Sequence, residues 1–287
     1  MSMTQPIAFA VVAMICYGLS DFVYKRAAAA GIRADRFLMA QGWCFWPLVT
    51  LYALATHRLV FSAAALWGSV AGAFILAGFY FFTRSLATGA VSTNATIFRM
   101  NFVVTVFLVI VFLGEPLTPA KIAGLALALV ATSLLAGGGA GGQDASAQAR
   151  RRSLVEVALA TVAFGALTFF HTLGLRRGVP PETLAVAQAT VFMPLATLAV
   201  YVTDRAVVPG RATLKYGAVA AITLFGATIF LLHGIAIGQA SVLVPIAQMG
   251  FLVAALLGIF VLREQVTLQK AIGLATALAA LGILAAS

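Results

Sequence analysis

Charge is scarce in this chain. Asp, Glu, Lys and Arg make up 9% of its 287 residues, where an ordinary soluble domain carries about 25%. That shortage excludes a soluble enzyme, a nucleic-acid-binding protein and a disordered chain. Acids are scarcest: there are 8 Asp and Glu in all, scattered, with no carboxylate cluster of the kind a Mg²⁺-dependent membrane transferase needs. The three histidines, His57, His171 and His233, are far apart and form no H-E-x-x-H metal motif. Cys16 and Cys44 are isolated, so neither a disulfide framework nor a cysteine metal site is available. No phosphate-cradling glycine loop is present, which removes ATP as a direct energy source, and no cofactor is expected. The first residues carry no basic stretch, so the first apolar run reads as a retained helix rather than a cleaved signal.

Apolar residues fill the space left by the charges. They form 62% of the chain, and the mean hydropathy is +1.06. A membrane-spanning helix needs about 20 such residues. Ten runs of about that size can be read, over residues 6–28, 35–55, 65–87, 90–113, 118–137, 153–175, 182–203, 212–236, 239–261 and 267–286. Segments such as Phe102–Leu113 are continuously apolar, without the alternation of a transmembrane β-strand. The expected fold is therefore an all-α integral membrane protein of ten transmembrane helices, with the lipid bilayer as its surroundings and a monomer as the working unit.

The ten spans divide into two repeats. A shift of 149 residues lays 85–136 on 234–285 without a gap, matching Gly89/Gly238, Ser92/Ser241, Met100/Met249, Glu115/Glu264, Thr118/Thr267 and Lys121/Lys270. A shift of 147 lays Gln41-x-x-x-Phe45-x-Pro47 on Gln188-x-x-x-Phe192-x-Pro194, and Tyr17-Gly18 on Phe164-Gly165. Apolar composition alone does not align Gln, Pro, Glu and Lys. The division is residues 1–137, a Gly-rich and basic linker at 138–152, and residues 153–287. Five spans per half is an odd number, so the second half enters the membrane from the opposite side. Inverted repeats of this kind are a hallmark of secondary transporters, with the binding site near midplane between the halves.

Matched loops then lie on opposite faces, and their charges can be compared. Lys25, Arg26, Arg33 and Arg36 follow the first span, against Arg176 and Arg177 after the sixth. Arg205, Arg211 and Lys215 follow the seventh, against Arg58 after the second. With Arg150–Arg152 in the linker, every comparison places the same loops on the basic, cytoplasmic side. Both termini are expected in the periplasm of a bacterial inner membrane.

Several doubled motifs resemble the drug/metabolite transporter superfamily, in its ten-helix EamA-type branch. They are Tyr17-Gly18-x-x-x-Phe22-x-x-Lys25, the Phe79-Tyr80-Phe81-Phe82 cluster with Ser85 and Ser92, and the helix-end acids Leu113-Gly114-Glu115 and Leu262-Arg263-Glu264, each followed by a glycine-bearing helix. The resemblance implies a central cavity lined by spans 1, 3, 4, 6, 8 and 9. It lies nearest to bacterial amino-acid exporters, those for aromatic amino acids included.

Candidate site residues follow from polarity inside the spans. Arg99 is the one basic residue deep in a span, where it costs about 2.5–3.5 kcal/mol; its repeat mate is Gln248. Ser92, Thr96 and Arg99 share one helix face, matched by Ser241, Pro245 and Gln248. Asn94, Phe98, Asn101 and Thr105 form a second stripe, for a cavity or for bonds between helices. Tyr17, Asp21 and Tyr24 on span 1 match Phe164, Thr168 and His171 on span 6. Asp21 suits either an internal ion pair, with Lys25 or Arg99, or proton coupling. Tyr80 is a candidate aromatic wall. Trp43, Trp46 and Trp67 suit the membrane interface. Pro47 and Pro194 kink matched helices, as hinges or as static bends. Glu115 and Glu264 stand at helix ends, suited to capping a neighbour. The reading is a secondary transporter that exports small amphipathic metabolites, amino acids first, by alternating access. Transport of other metabolites or drugs in either direction is the nearest alternative; a membrane enzyme or a channel is the alternative of another class.

Overall fold

The computed structural model describes residues 4–88, 91–135, 147–262 and 267–287, excluding the side chains of residues 87, 88, 91, 92, 147, 258 and 262. These residues form helices α1 (Thr4–Ala29), α2 (Ala34–Ala55), α3 (Leu66–Thr88), α4 (Val91–Arg99), α5 (Asn101–Leu113), α6 (Pro119–Leu135), α7 (Ala147–Arg176), α8 (Pro181–Asp204), α9 (Arg211–Ile237), α10 (Ala240–Gln248), α11 (Gly250–Leu262) and α12 (Leu268–Ala285). Among the described residues, nine spans of 18 residues or more are apolar enough to cross a membrane, and the 17-residue α6 completes the ten. Helix α7 starts at Ala147, so Arg150–Arg152, expected in the linker, belong to the helix.

The expected continuous fourth and ninth spans are each broken. The break falls at Met100 between α4 and α5 and at Met249 between α10 and α11, which are repeat mates. Their ψ angles are 8° and 14°, in the sparsely populated bridge region. The backbone tightens there to i→i−3 bonds: Val103 N donates to Met100 O at 3.0 Å, and Leu252 N to Met249 O at 2.8 Å. Carbonyls at the first-half break also take side-chain donors. Thr161 Oγ1 donates to Ile97 O at 3.1 Å, and Asn101 Nδ2 to Phe98 O at 2.9 Å.

Packing follows a two-fold exchange between halves. Helix α1 packs on α9, α10 and α11, as α7 packs on α3, α4 and α5; α6 pairs with α12. The pairing of α6 with α12 buries Ala128, Ala131, Ala277 and Ala280, small residues that let helices approach where lipid gives no hydrophobic drive. Large apolar side chains such as Phe107, Phe112, Phe260 and Leu278 point outward instead, as a lipid-facing surface requires.

Two glycines seat the breaks. A Cβ on Gly18 of α1 would lie 2.5 Å from Gly250 O, at the start of α11; one on Gly165 of α7 would lie 2.8 Å from Asn101 O, at the start of α5. Each half thus supports the broken span of the other. Because the contact is with backbone, Gly18→Ala or Gly165→Ala must push a helix aside, at about 1–3 kcal/mol. The expected result is a lower thermal-unfolding midpoint in detergent for both, with Gly282→Ala, beside open space, as the control.

The three tryptophans make contacts between helices. Trp43 Nε1 donates to Thr197 Oγ1 at 2.8 Å and Trp46 Nε1 to Thr190 Oγ1 at 3.0 Å, tying α2 to α8, while Trp67 stacks on Phe170 of α7. Pro47 and Pro194 lie inside α2 and α8, which run on through them.

Candidate functional site

A cavity of about 360 Å³ lies between the halves. The broken spans end beside it: Arg99, the last residue of α4, and Gln248, the last residue of α10, both line it. A cation at a helix C-terminus is favoured by the carbonyl dipoles there. The break therefore presents Arg99 to the cavity and offsets part of its cost inside the membrane.

Arg99 has a partner. Its Nη1 lies 3.0 Å from Asp21 Oδ2 of α1, and both side chains are about a third exposed, at 36% and 30%. Of the partners open to Asp21 in the sequence, Arg99 from span 4 is engaged in this pair. The pair also borders a second cavity of about 310 Å³, lined by Lys25, Leu135 and Lys270 at the ends of α1 and α6 and the start of α12. Asp21 and Arg99 thus stand between two spaces.

Tyr17, Phe164 and His171 also line the central cavity. Phe164 is the hub of an aromatic wall: its ring meets Phe79 edge-on at 5.1 Å and Phe98 at 4.6 Å, and Phe98 stacks on Phe82. Polar atoms face the same space. Among the described residues, five buried side-chain atoms have no hydrogen-bond partner in the protein; four of them, Ser20 Oγ, Asn101 Oδ1, His171 Nε2 and Gln188 Oε1, belong to cavity-lining residues. Buried polar groups are ordinarily satisfied, and these four belong to the wall of one cavity.

Two expected residues are elsewhere. Tyr80 is half exposed outside the cavity, because its hydroxyl accepts from Arg84 Nη1 at 2.7 Å, one turn along the same helix. Ser241 does not line the cavity either. It is buried in an ionic cluster, where its backbone N donates to Glu115 Oε2 at 2.8 Å and its Oγ accepts from Lys121 Nζ at 3.0 Å. The Ser92 side chain and Glu264 fall outside the described residues. In the second stripe, Asn94 Nδ2 donates to Ser85 O and Ser153 Oγ, both at 2.8 Å, and Thr105 Oγ1 to Gly165 O at 3.0 Å. It joins helices, while Phe98 and Asn101 also line the cavity. His233 meets the buried Glu182 at 3.0 Å, away from the cavity.

Spans 2 and 7 were not expected in the lining. They contribute Gln41, Phe45, Gln188 and Phe192, and the Gln41 amide bonds Tyr24 Oη at 2.8 Å. The signal was present: Gln-x-x-x-Phe is the part of the repeat motif that is kept in both halves.

A model of the EamA-like transporter family matches residues 4–137 and again 152–286. The chain belongs to the EamA-like transporter family. It is a multi-pass membrane protein and, as its family implies, a membrane transporter of small molecules. One solved crystal structure has the same fold, with a TM-score of 0.81 over 98% of this chain and 96% of that chain at 18% identity. A search of curated proteins returns no match.

Proposed function

We propose that this EamA-family member exports small amphipathic carboxylates, amino acids first and aromatic ones among them, by alternating access. The observation that carries the reading is the central cavity with Arg99 on one wall and the Phe79–Phe98–Phe164 cluster on another. A guanidinium holds a carboxylate through two parallel N–H bonds. A ring stack adds about 0.5–1.5 kcal/mol beyond area burial. His171, Gln188 and Gln248 supply neutral hydrogen bonds around the occupant. Binding energies this modest suit a protein that must release what it binds. The halves rock about the site, with Pro47 and Pro194 as bending points. Counterflow in proteoliposomes is the test: external unlabelled amino acid should speed exit of labelled amino acid. An enzyme gives no counterflow and a channel no trans-stimulation, so a flat response rejects the reading.

The orientation proposed is a bacterial inner membrane with both termini in the periplasm. A C-terminal alkaline phosphatase fusion should be active and a green fluorescent protein fusion dark; the reverse pattern rejects it. Arg33 and Arg36 hold Asp204 at 2.8 and 2.7 Å, which gathers the most basic loops at one face and supports this orientation.

A further inference from the structure

We propose that Asp21 and Arg99 together form a zwitterion cradle, with Asp21 receiving the substrate ammonium and Arg99 its carboxylate, and that the pair makes both charges on the solute obligatory. The inference rests on the amino-acid reading above and narrows it to α-amino acids with a free amino group.

The argument is charge balance. Without solute, Asp21 Oδ2 and Arg99 Nη1 neutralise each other at 3.0 Å. Both residues line the central cavity, as do Ser20, next to Asp21 in the chain, and Asn101, two residues past Arg99. A solute with a carboxylate alone adds a second negative charge beside Asp21 that the single Arg99 guanidinium must share, and a carboxylate short of a counter-charge away from bulk water is costly. An amine alone strands Arg99 in the same way. A zwitterion carries a counter-charge for each side: its carboxylate replaces Asp21 on the guanidinium, and its ammonium replaces Arg99 on Asp21. No charge is left alone, and one ion pair becomes two. The pair is a third exposed, so discrimination falls short of that of a fully buried charge, yet a site built for polar groups rejects analogues that leave those groups unpaired.

This arrangement gives Asp21 a role in selectivity rather than in packing alone, and it predicts crossed preferences. The test uses purified full-length protein in detergent, with binding read by calorimetry and folding by thermal unfolding. The probes are two series that keep one side chain and remove one charge at a time: phenylalanine, N-acetylphenylalanine and 2-phenylethylamine, then leucine, N-acetylleucine and isoamylamine. Wild-type protein should bind the amino acid roughly tenfold or more tighter than either derivative in at least one series. Asp21→Asn should turn the preference towards the N-acetylated acid, since Arg99 then lacks a counter-ion. Arg99→Gln should turn it towards the amine. The wild-type comparison stands even where a variant fails to fold. Equal wild-type binding of all three members in a series that binds overturns the cradle and leaves the amino-acid reading intact. Variants that keep the wild-type order of preference also overturn the cradle. Absence of binding in both series overturns the amino-acid reading and the cradle with it.

Discussion

Arg99→Gln should abolish most amino-acid transport while leaving the protein folded and expressed. Hydrogen bonds to a charged group contribute about 1.5–3 kcal/mol, so loss of the guanidinium is expected to lower transport efficiency roughly 10- to 100-fold. Arg99→Lys keeps the charge but not the planar fork, and should fall between the two. The substitution to Gln also leaves Asp21 without the partner that now lies 3.0 Å away. Arg99→Gln/Asp21→Asn separates the effects. If the loss comes from a stranded carboxylate, the double variant recovers; if it comes from lost substrate contact, the double variant stays impaired. Initial rates of counterflow in proteoliposomes, normalised to inserted protein, give the comparison. A single variant that moves amino acids at the wild-type rate would leave Arg99 with only a structural role.

The second large effect is on stability, away from the cavity. Glu115→Ala or Lys121→Ala is expected to cost about 3–5 kcal/mol, the range for breaking a buried ionic cluster by removing one member. Helix α5 stops at Gly114, whose φ of 67° suits glycine. The turn directs Glu115, 5% exposed, onto the N-terminus of α10, where it accepts from Ala240 N at 3.1 Å and Ser241 N at 2.8 Å and pairs with Arg176 at 3.2 Å. Lys121, 1% exposed, then donates to Pro116 O at 2.7 Å, Gln239 Oε1 at 2.5 Å and Ser241 Oγ at 3.0 Å. A carboxylate at a helix N-terminus satisfies backbone N–H groups that have no partner within the helix. Either truncation leaves the other members of the cluster buried without their partner. Thermal unfolding in detergent should show a large drop for both, and Glu115→Gln, which keeps the acceptor oxygen, a smaller one. Unchanged midpoints would mean that water replaces the lost group.

Much of this protein was determined by its sequence alone. Ten apolar runs can cross a bilayer only as helices, because each backbone polar group must be satisfied within its own segment. The matched Glu, Lys, Thr and Gln residues establish the repeat, and five spans per half make it inverted. The structure adds that the matched Thr118 and Thr267 cap α6 and α12 by accepting from Lys121 N and Lys270 N, both at 3.2 Å. Arg99 stood out because a charge inside a span is expensive wherever it lies. Partner choice was decided only by the tertiary structure. Periodicity reports which residues share a helix face, but the neighbour that face meets depends on contacts between spans far apart in sequence. Asp21 had both Lys25 and Arg99 as candidate partners, and the break at Met100 brings Arg99 to it. Ser241 shares a face with Gln248 yet is taken by Glu115 and Lys121, because Gly114 turns the chain there. Tyr80 was an equal candidate until Arg84 drew its hydroxyl outward. Gln41 and Gln188 carried a signal in the repeat itself, but Glu115 and Lys121 lie in the same kind of kept position, and only the packing of the halves puts the glutamines on the cavity.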